Sequence, residues 1–196
     1  MRRRFVLSWC ALSLAASALA HHTPGQRVDR SLKGWPIEPF TLTDHHGKPF
    51  SQANLRGQWT FVVFGDTRCA EPCTVALSAL AGLCKRIERA DALKTTQIVF
   101  VSVDPEHDTP QRLRDYLAPY GPRFIGSTAP RTTLQRFADD LGLADDEPPT
   151  GWPDARHHYR GSLVLVGRDA VVRAEYLPPF DVLLLTSEYM RVRSRK

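Results

Sequence analysis

Two continuous apolar runs dominate the hydropathy pattern. The segments Trp59–Phe64 and Gln97–Val103 contain no charged residue, which is typical of strands buried on both faces of a sheet. Shorter apolar stretches between turn residues predict further strands. We expect these at Phe40–Asp44, Lys48–Phe50, Arg123–Gly126, Ser162–Val166 and Val171–Tyr176. The first two form a predicted hairpin, because His45, His46 and Gly47 separate them.

Apolar residues at helical spacing predict four helices. They are Thr74–Asp91, Thr109–Ala118, Arg131–Leu141 and Phe180–Met190. The acidic, proline-rich segment Ala144–Tyr159 is predicted to be a loop. Strands and helices alternate and are followed by a late hairpin and a helix. This order predicts an α/β protein with a thioredoxin-like fold and an N-terminal hairpin extension.

The N-terminus has the features of an export signal. Three arginines precede an apolar run over residues 5–20, which ends in Ala18-Leu19-Ala20. We expect a signal peptide at 1–20, an irregular segment at 21–39 and the folded domain at 40–196. An uncleaved membrane anchor is the alternative, although the run is shorter than the roughly 20 residues of a spanning helix. In both cases the domain is expected outside the cytoplasm, in the periplasm if the signal is cleaved.

Net charge argues against two classes of partner. Cleavage removes the three arginines from a formal charge of +5 and leaves +2. So small a charge favours neither nucleic acid nor an anionic membrane surface. A membrane contact is expected only if the N-terminal segment stays attached.

Three cysteines remain after cleavage, because Cys10 lies in the signal. Cys69 and Cys73 form a C-x-x-x-C pair, and Cys84 is left over. Cys84 lies about 16 Å further along the predicted helix, so we expect it to be a small buried apolar residue.

The pair follows a buried strand and lies at the start of a helix. The free N–H groups and the dipole of a helix N-terminus stabilise a thiolate, and Arg68 adds a positive neighbour. These cysteines could form a stabilising disulfide, hold a metal ion or attack a substrate. A loop of three intervening residues removes little chain entropy, so stabilisation alone is a weak reason for a disulfide.

Three stretches carry a resemblance to a known family. They are Phe40–Asp44 with Gly47 and Leu55–Gly57, then Phe64–Cys73, and finally Val101–Pro110 with Phe124–Gly126. The third, V-S-V-D-P-E-H-D-T-P, is the most specific. Together they resemble the Sco/SenC family of copper chaperones, thioredoxin-like proteins of cytochrome c oxidase assembly, over roughly residues 40–176.

The resemblance implies Cu(I) or Cu(II) bound by both cysteines and one distant histidine. It also implies a role in supplying copper to the binuclear copper centre of cytochrome c oxidase, or in reducing the thiols of that centre. The expected partners are the copper-centre subunit of that oxidase or another cuproprotein, and an upstream thiol reductant. Two thiolates suit soft Cu(I), and an imidazole also suits Cu(II). In this family a proline usually follows each cysteine, whereas here Ala70 and Thr74 follow them and the proline is Pro72.

The third ligand is expected just before the late strand. His158 is the first candidate and His157 the alternative, although the aspartate that precedes the family's histidine is missing. We expect His45, His46 and His107 to be solvated surface residues. The segment Asp104–Pro110 is expected to be a capped turn into a helix, or else a recognition edge beside the metal loop.

A second class of function stays open. The protein could be an enzyme, a thiol–disulfide oxidoreductase that reduces the cysteines of a cuproprotein, with Cys69 and Cys73 as its redox-active pair. Such enzymes usually carry C-x-x-C and a proline directly before the late strand, but the nearest upstream proline here is Pro153. A redox or copper sensor without a delivery role is the third possibility.

Overall fold

The computed structural model describes residues 27–29, 34–69, 71–143 and 161–194. Eight strands are found in these ranges: β1 (Arg27–Asp29), β2 (Thr41–Asp44), β3 (Pro49–Ser51), β4 (Trp59–Gly65), β5 (Thr96–Ser102), β6 (Phe124–Thr128), β7 (Leu163–Val166) and β8 (Val172–Tyr176). The α-helices are α1 (Gln52–Leu55), α2 (Glu71–Ile87), α3 (Pro110–Leu117), α4 (Arg131–Asp140) and α5 (Val182–Ser194).

All eight strands belong to one sheet, in the order β1-β8-β7-β4-β5-β6-β2-β3. The central strands β4, β5 and β6 are parallel, and the outer pairings are antiparallel. The register pairs Phe61 of β4 with Ile98 of β5 on one side and with Leu165 of β7 on the other. The predicted hairpin is confirmed as β2 and β3.

Side chains of the central strands alternate between two apolar cores, because successive residues of a strand point to opposite faces. Phe61 and Val63 of β4 contribute to the core beneath α2, α3 and α5. Val62 and Phe64 contribute to the core beneath α4 and the hairpin. Every residue of β4 and β5 is buried, as the absence of charge in both runs predicted.

Helix α2 differs most from its prediction. We expected it to begin at Thr74, but it begins at Glu71, so Cys73 lies in its first turn. Pro72 is compatible with this start, because the N–H groups of a first helical turn have no intrahelical partner. The helix ends at Ile87 rather than Asp91, where two short 3-10 turns follow.

The segment predicted to be irregular at 21–39 contains a strand. Residues Arg27–Asp29 pair with Ala174–Tyr176 of β8. A three-residue edge strand is held by backbone hydrogen bonds and leaves no hydropathy pattern, so the prediction is wrong at these positions. Among the described residues no helix is long and apolar enough to cross a membrane. The predicted signal at 1–20 and the loop predicted at 144–159 both lie outside the described residues.

Candidate metal centre

The structure joins the two predicted cysteines. Cys69 and Cys73 form a disulfide with their Cα atoms 5.9 Å apart, within the usual range for such bonds. Cys69 lies in the loop that leaves the carboxyl end of β4, and Cys73 lies in the first turn of α2. Both are buried. Reduction of this bond would leave two sulfur atoms side by side at a helix N-terminus.

Gly65 makes room for the pair. A Cβ at this position would lie 2.5 Å from Sγ of Cys73 and 3.0 Å from Cε2 of Phe100. The distance to the sulfur is shorter than a carbon atom tolerates and the distance to the ring is tight, so only a glycine permits this approach of the Cys73 sulfur to the end of β4. The requirement comes from space and not from the backbone conformation.

The loop between Gly65 and Cys69 is fastened by its own backbone and by a distant carboxylate. The Arg68 N–H donates to Oδ1 of Asp66 at 2.8 Å, and the Cys69 N–H donates to the Asp66 carbonyl at 3.1 Å. The Thr67 N–H and hydroxyl donate to Oδ2 and Oδ1 of Asp108 at 3.0 and 2.6 Å. Thr67 and Asp108 belong to two of the stretches that carry the family resemblance, but no role was predicted for either side chain.

A second carboxylate from the same turn holds Arg68. Asp104 accepts from the Arg68 guanidinium and from Nδ1 of His107 at 2.9 Å. Burial acts to raise the pKa of Asp104, but the hydrogen bonds from His107 and Arg68 outweigh it, so this pKa lies below its usual value. Arg68 is therefore an ion-pair partner of Asp104, and the expected positive neighbour of the thiols is partly neutralised.

The turn at 104–110 is the capped turn that the sequence predicted, and it lies beside the cysteine loop. Thr109 caps α3 by accepting from the Arg112 N–H at 3.2 Å, and Pro110 is its first residue. The same turn contacts the cysteine loop through Asp104 and Asp108. Donor atoms of Asp104, Glu106 and His107 lie within 4.8 Å of one another. Glu106 and His107 are exposed, and all three side chains already have protein partners.

The two candidate histidine ligands, His157 and His158, lie outside the described residues. The next described residue is Gly161. A Cβ added to this glycine would lie 3.4 Å from Cβ of Pro72. Pro72 lies between the two cysteines in sequence. Gly161 therefore lies beside the cysteine loop, and it follows His158 by three residues. Three residues of fully extended chain span about 10 Å.

The expectation for His45 is wrong, whereas those for His46 and His107 are confirmed. His45 is buried, and its Nδ1 accepts from the Gly126 N–H at 3.0 Å. Burial lowers the pKa of His45 below its ordinary value. His45 therefore joins the hairpin to β6 as a structural residue. His46 and His107 are exposed.

Cys84 has the role that the sequence predicted. It is buried, free of disulfide bonds and packed in the core beneath α2. Burial raises the pKa of the Cys84 thiol to about 11, which keeps it protonated at neutral pH. A protonated buried thiol is a poor metal ligand and a poor nucleophile.

Comparison with known proteins identifies the relatives of this chain. A family model described as SCO1/SenC matches residues 30–180. A protein of Stutzerimonas stutzeri named "Putative copper-binding protein" is 32% identical over 188 residues, which cover 90% of this chain and 92% of that protein.

Solved structures share the fold. ScoI of Bradyrhizobium japonicum, described with copper bound, is 25% identical, has a TM-score of 0.61 and covers 81% of this chain and 99% of that one. BsSco, described as a member of the Sco family of cytochrome c oxidase assembly proteins with a disulfide switch, is 24% identical. Its TM-score is 0.66, with coverage of 87% of this chain and 100% of that one. The thioredoxin-like fold is confirmed, and the chain belongs to the SCO1/SenC family.

Proposed function

We propose that this protein is an exported copper chaperone that holds copper through Cys69, Cys73 and a histidine and delivers it to the binuclear copper centre of cytochrome c oxidase. The observation that carries the proposal is the adjacency of the two cysteine sulfurs at the N-terminus of α2. Membership of a family whose relatives are described with bound copper supports the choice of metal.

The donor set fits copper once the disulfide is reduced. A disulfide sulfur is a weak donor, whereas two thiolates are soft ligands that favour Cu(I). Reduction takes two electrons and two protons and yields two thiols, so the protein needs an upstream thiol reductant before it takes up metal. The N-terminus of α2 favours the negative charge of the bound thiolates.

A histidine is the proposed third ligand, with His158 as the first candidate and His157 as the alternative. The return of the chain to Pro72 at Gly161 supports this choice, because either histidine is then within reach of the sulfurs. An imidazole beside two thiolates would suit both oxidation states of copper, as a carrier in an oxidising compartment requires.

Replacing His158 by alanine should weaken Cu(II) binding more than Cu(I) binding. Two thiolates alone can hold Cu(I) in a linear site, whereas Cu(II) prefers additional nitrogen donors. We expect a loss of more than about tenfold in Cu(II) affinity and a changed sulfur-to-copper charge-transfer spectrum. His157→Ala is the matched control. If only His157→Ala changes the spectrum, the ligand is His157, and if neither variant does, no histidine of this pair is a ligand.

The disulfide is also compatible with a rival function, that of a thiol–disulfide oxidoreductase that reduces a cuproprotein. A transfer assay separates the two functions. The reduced, Cu(I)-loaded protein is mixed with an apo copper-centre domain whose own cysteines are already reduced. We expect the copper to move to that domain.

The reciprocal assay uses metal-free reduced protein and the same client in its disulfide form. A reductase would reduce the client and finish with Cys69 and Cys73 oxidised. If this protein holds no copper under reducing conditions but reduces the client, the chaperone proposal is wrong. If this protein neither holds copper under reducing conditions nor reduces the client, a sensor is favoured.

A further inference from the structure

A fully buried carboxylate connects the cysteine loop to the sheet. Asp108 has no exposed surface, and its two oxygens accept three hydrogen bonds. Thr67 supplies two of them, from its N–H at 3.0 Å and its hydroxyl at 2.6 Å. Ser102, the last residue of β5, supplies the third from its hydroxyl at 2.6 Å.

These contacts fix both the position and the orientation of Thr67. A buried carboxylate is costly unless donors satisfy it, and charge-assisted hydrogen bonds are stronger than neutral ones. Since the two donors of Thr67 contact different oxygens of one carboxylate, Thr67 cannot shift or turn without breaking one of them. Ser102 holds the same carboxylate against the end of β5.

The two cysteines are therefore held by different parts of the molecule. Cys73 is fixed by α2 and by its contact with Gly65. Cys69 lies in irregular chain two residues after Thr67, and its N–H contact is to Asp66 within the same loop. Two side-chain links join the Cys69 side of the loop to the segment at the end of β5. One is the ion pair of Arg68 with Asp104, in which the Arg68 side chain is 57% exposed. The other is the fully buried Asp108, which bonds Thr67 and Ser102 of β5 at the same time.

We propose that Asp108 is a positioning residue that holds Cys69 at bonding distance from Cys73 and thereby sets the reduction potential of the pair. Its consequence for copper uptake rests on the function proposed above, because only the dithiol form binds the metal. The effect on the potential does not depend on copper.

The physical reason is the effective concentration of one thiol at the other. In the exchange with glutathione, the two thiols and one oxidised glutathione give the protein disulfide and two reduced glutathiones. A loop held in place brings the sulfurs together more often, which favours the disulfide and lowers the potential. Loosening the loop should therefore raise it, and a tenfold change in the exchange constant corresponds to about 30 mV.

Thr67→Val tests the link with the carboxylate charge retained. Valine keeps the shape of threonine but lacks the hydroxyl that contacts Oδ1 of Asp108. Thr67→Ser keeps the hydroxyl and serves as the matched control. The measurement is the fraction of reduced pair at equilibrium in glutathione buffers at one fixed pH, read by alkylation and mass spectrometry. We expect an exchange constant about tenfold lower in Thr67→Val and one close to the wild type in Thr67→Ser.

Two variants of Asp108 separate position from charge. Asp108→Ala removes every acceptor, and we expect at least the shift of Thr67→Val. Asp108→Asn removes the charge, but its amide can accept from the Thr67 N–H and donate to the Thr67 hydroxyl, so we expect it to recover most of the wild-type potential. Thermal unfolding of both redox forms identifies any variant that is not folded.

Wild-type potentials in both Thr67→Val and Asp108→Ala would overturn the proposal. So would an equal shift in Asp108→Asn and Asp108→Ala with none in Thr67→Val, because charge alone would then set the potential. Cu(I) binding by the reduced wild type is measured separately. If it is absent while the potentials shift as expected, the copper function fails and the positioning role stands.

Discussion

Cys69→Ser and Cys73→Ser should each lower Cu(I) affinity by more than about a hundredfold, because the loss of residues that only orient a ligand already costs 10–100-fold. Each change removes one of two soft donors, and a hydroxyl is a poor ligand for Cu(I). Cys84→Ser should bind copper like the wild type, since Cys84 is buried and burial raises the pKa of its thiol to about 11. Competition with a Cu(I) chelator under anaerobic conditions measures all three affinities.

The Cys84 variant also controls for loss of stability. Replacing a buried cysteine by serine places a hydroxyl in the core, so Cys84→Ser should lower the free energy of unfolding while copper binding persists. If Cys84→Ser loses copper and Cys69→Ser does not, the assignment of the metal centre to the C-x-x-x-C pair is wrong.

Gly65→Ala should separate the two sulfurs and lower the free energy of unfolding. The new Cβ would lie 2.5 Å from Sγ of Cys73 and 3.0 Å from the ring of Phe100. Overpacking of a core costs about 1–3 kcal/mol, and the Cys73 sulfur and the Phe100 ring must both move to relieve it. We expect a large fraction of free Cys69 and Cys73 thiols in oxidising buffer, where the wild type has a disulfide.

Gly82→Ala is the matched control for this change. Its Cβ would meet Cγ1 of Val182 at 3.0 Å, between α2 and α5 and away from the thiols. The disulfide should form normally in this variant whatever its stability. A complete disulfide and wild-type copper affinity in Gly65→Ala would show that Cys73 does not need the space that glycine leaves.

Local features of the fold could be predicted from sequence because their signals are local. The buried strands β4 and β5 contain no charge, and the start of α3 is indicated by Thr109 and Pro110. The cysteine pair could be assigned to a strand-to-helix junction for the same reason. The start of α2 was misplaced by three residues because the pattern of apolar residues begins only after Cys73.

Contacts between distant parts of the chain could not be predicted from a single sequence. Asp108 holds Thr67 across 41 positions, and His45 accepts from Gly126 across 81. Nothing in either local pattern distinguishes a buried polar residue with a distant partner from a solvated one. The third ligand stays a prediction from sequence, because His157 and His158 lie outside the described residues.

Anaerobic metal binding to the wild-type protein tests the metal centre most directly. Reduced protein and its disulfide form are exposed to equal amounts of Cu(I), Cu(II) and Zn(II), and the retained metal is quantified after desalting. We expect about one copper ion per reduced chain, a preference for copper over zinc, and no tightly held copper in the disulfide form. Reduced protein that retains no copper, or a disulfide form that retains as much as the reduced one, would contradict a copper site built on Cys69 and Cys73.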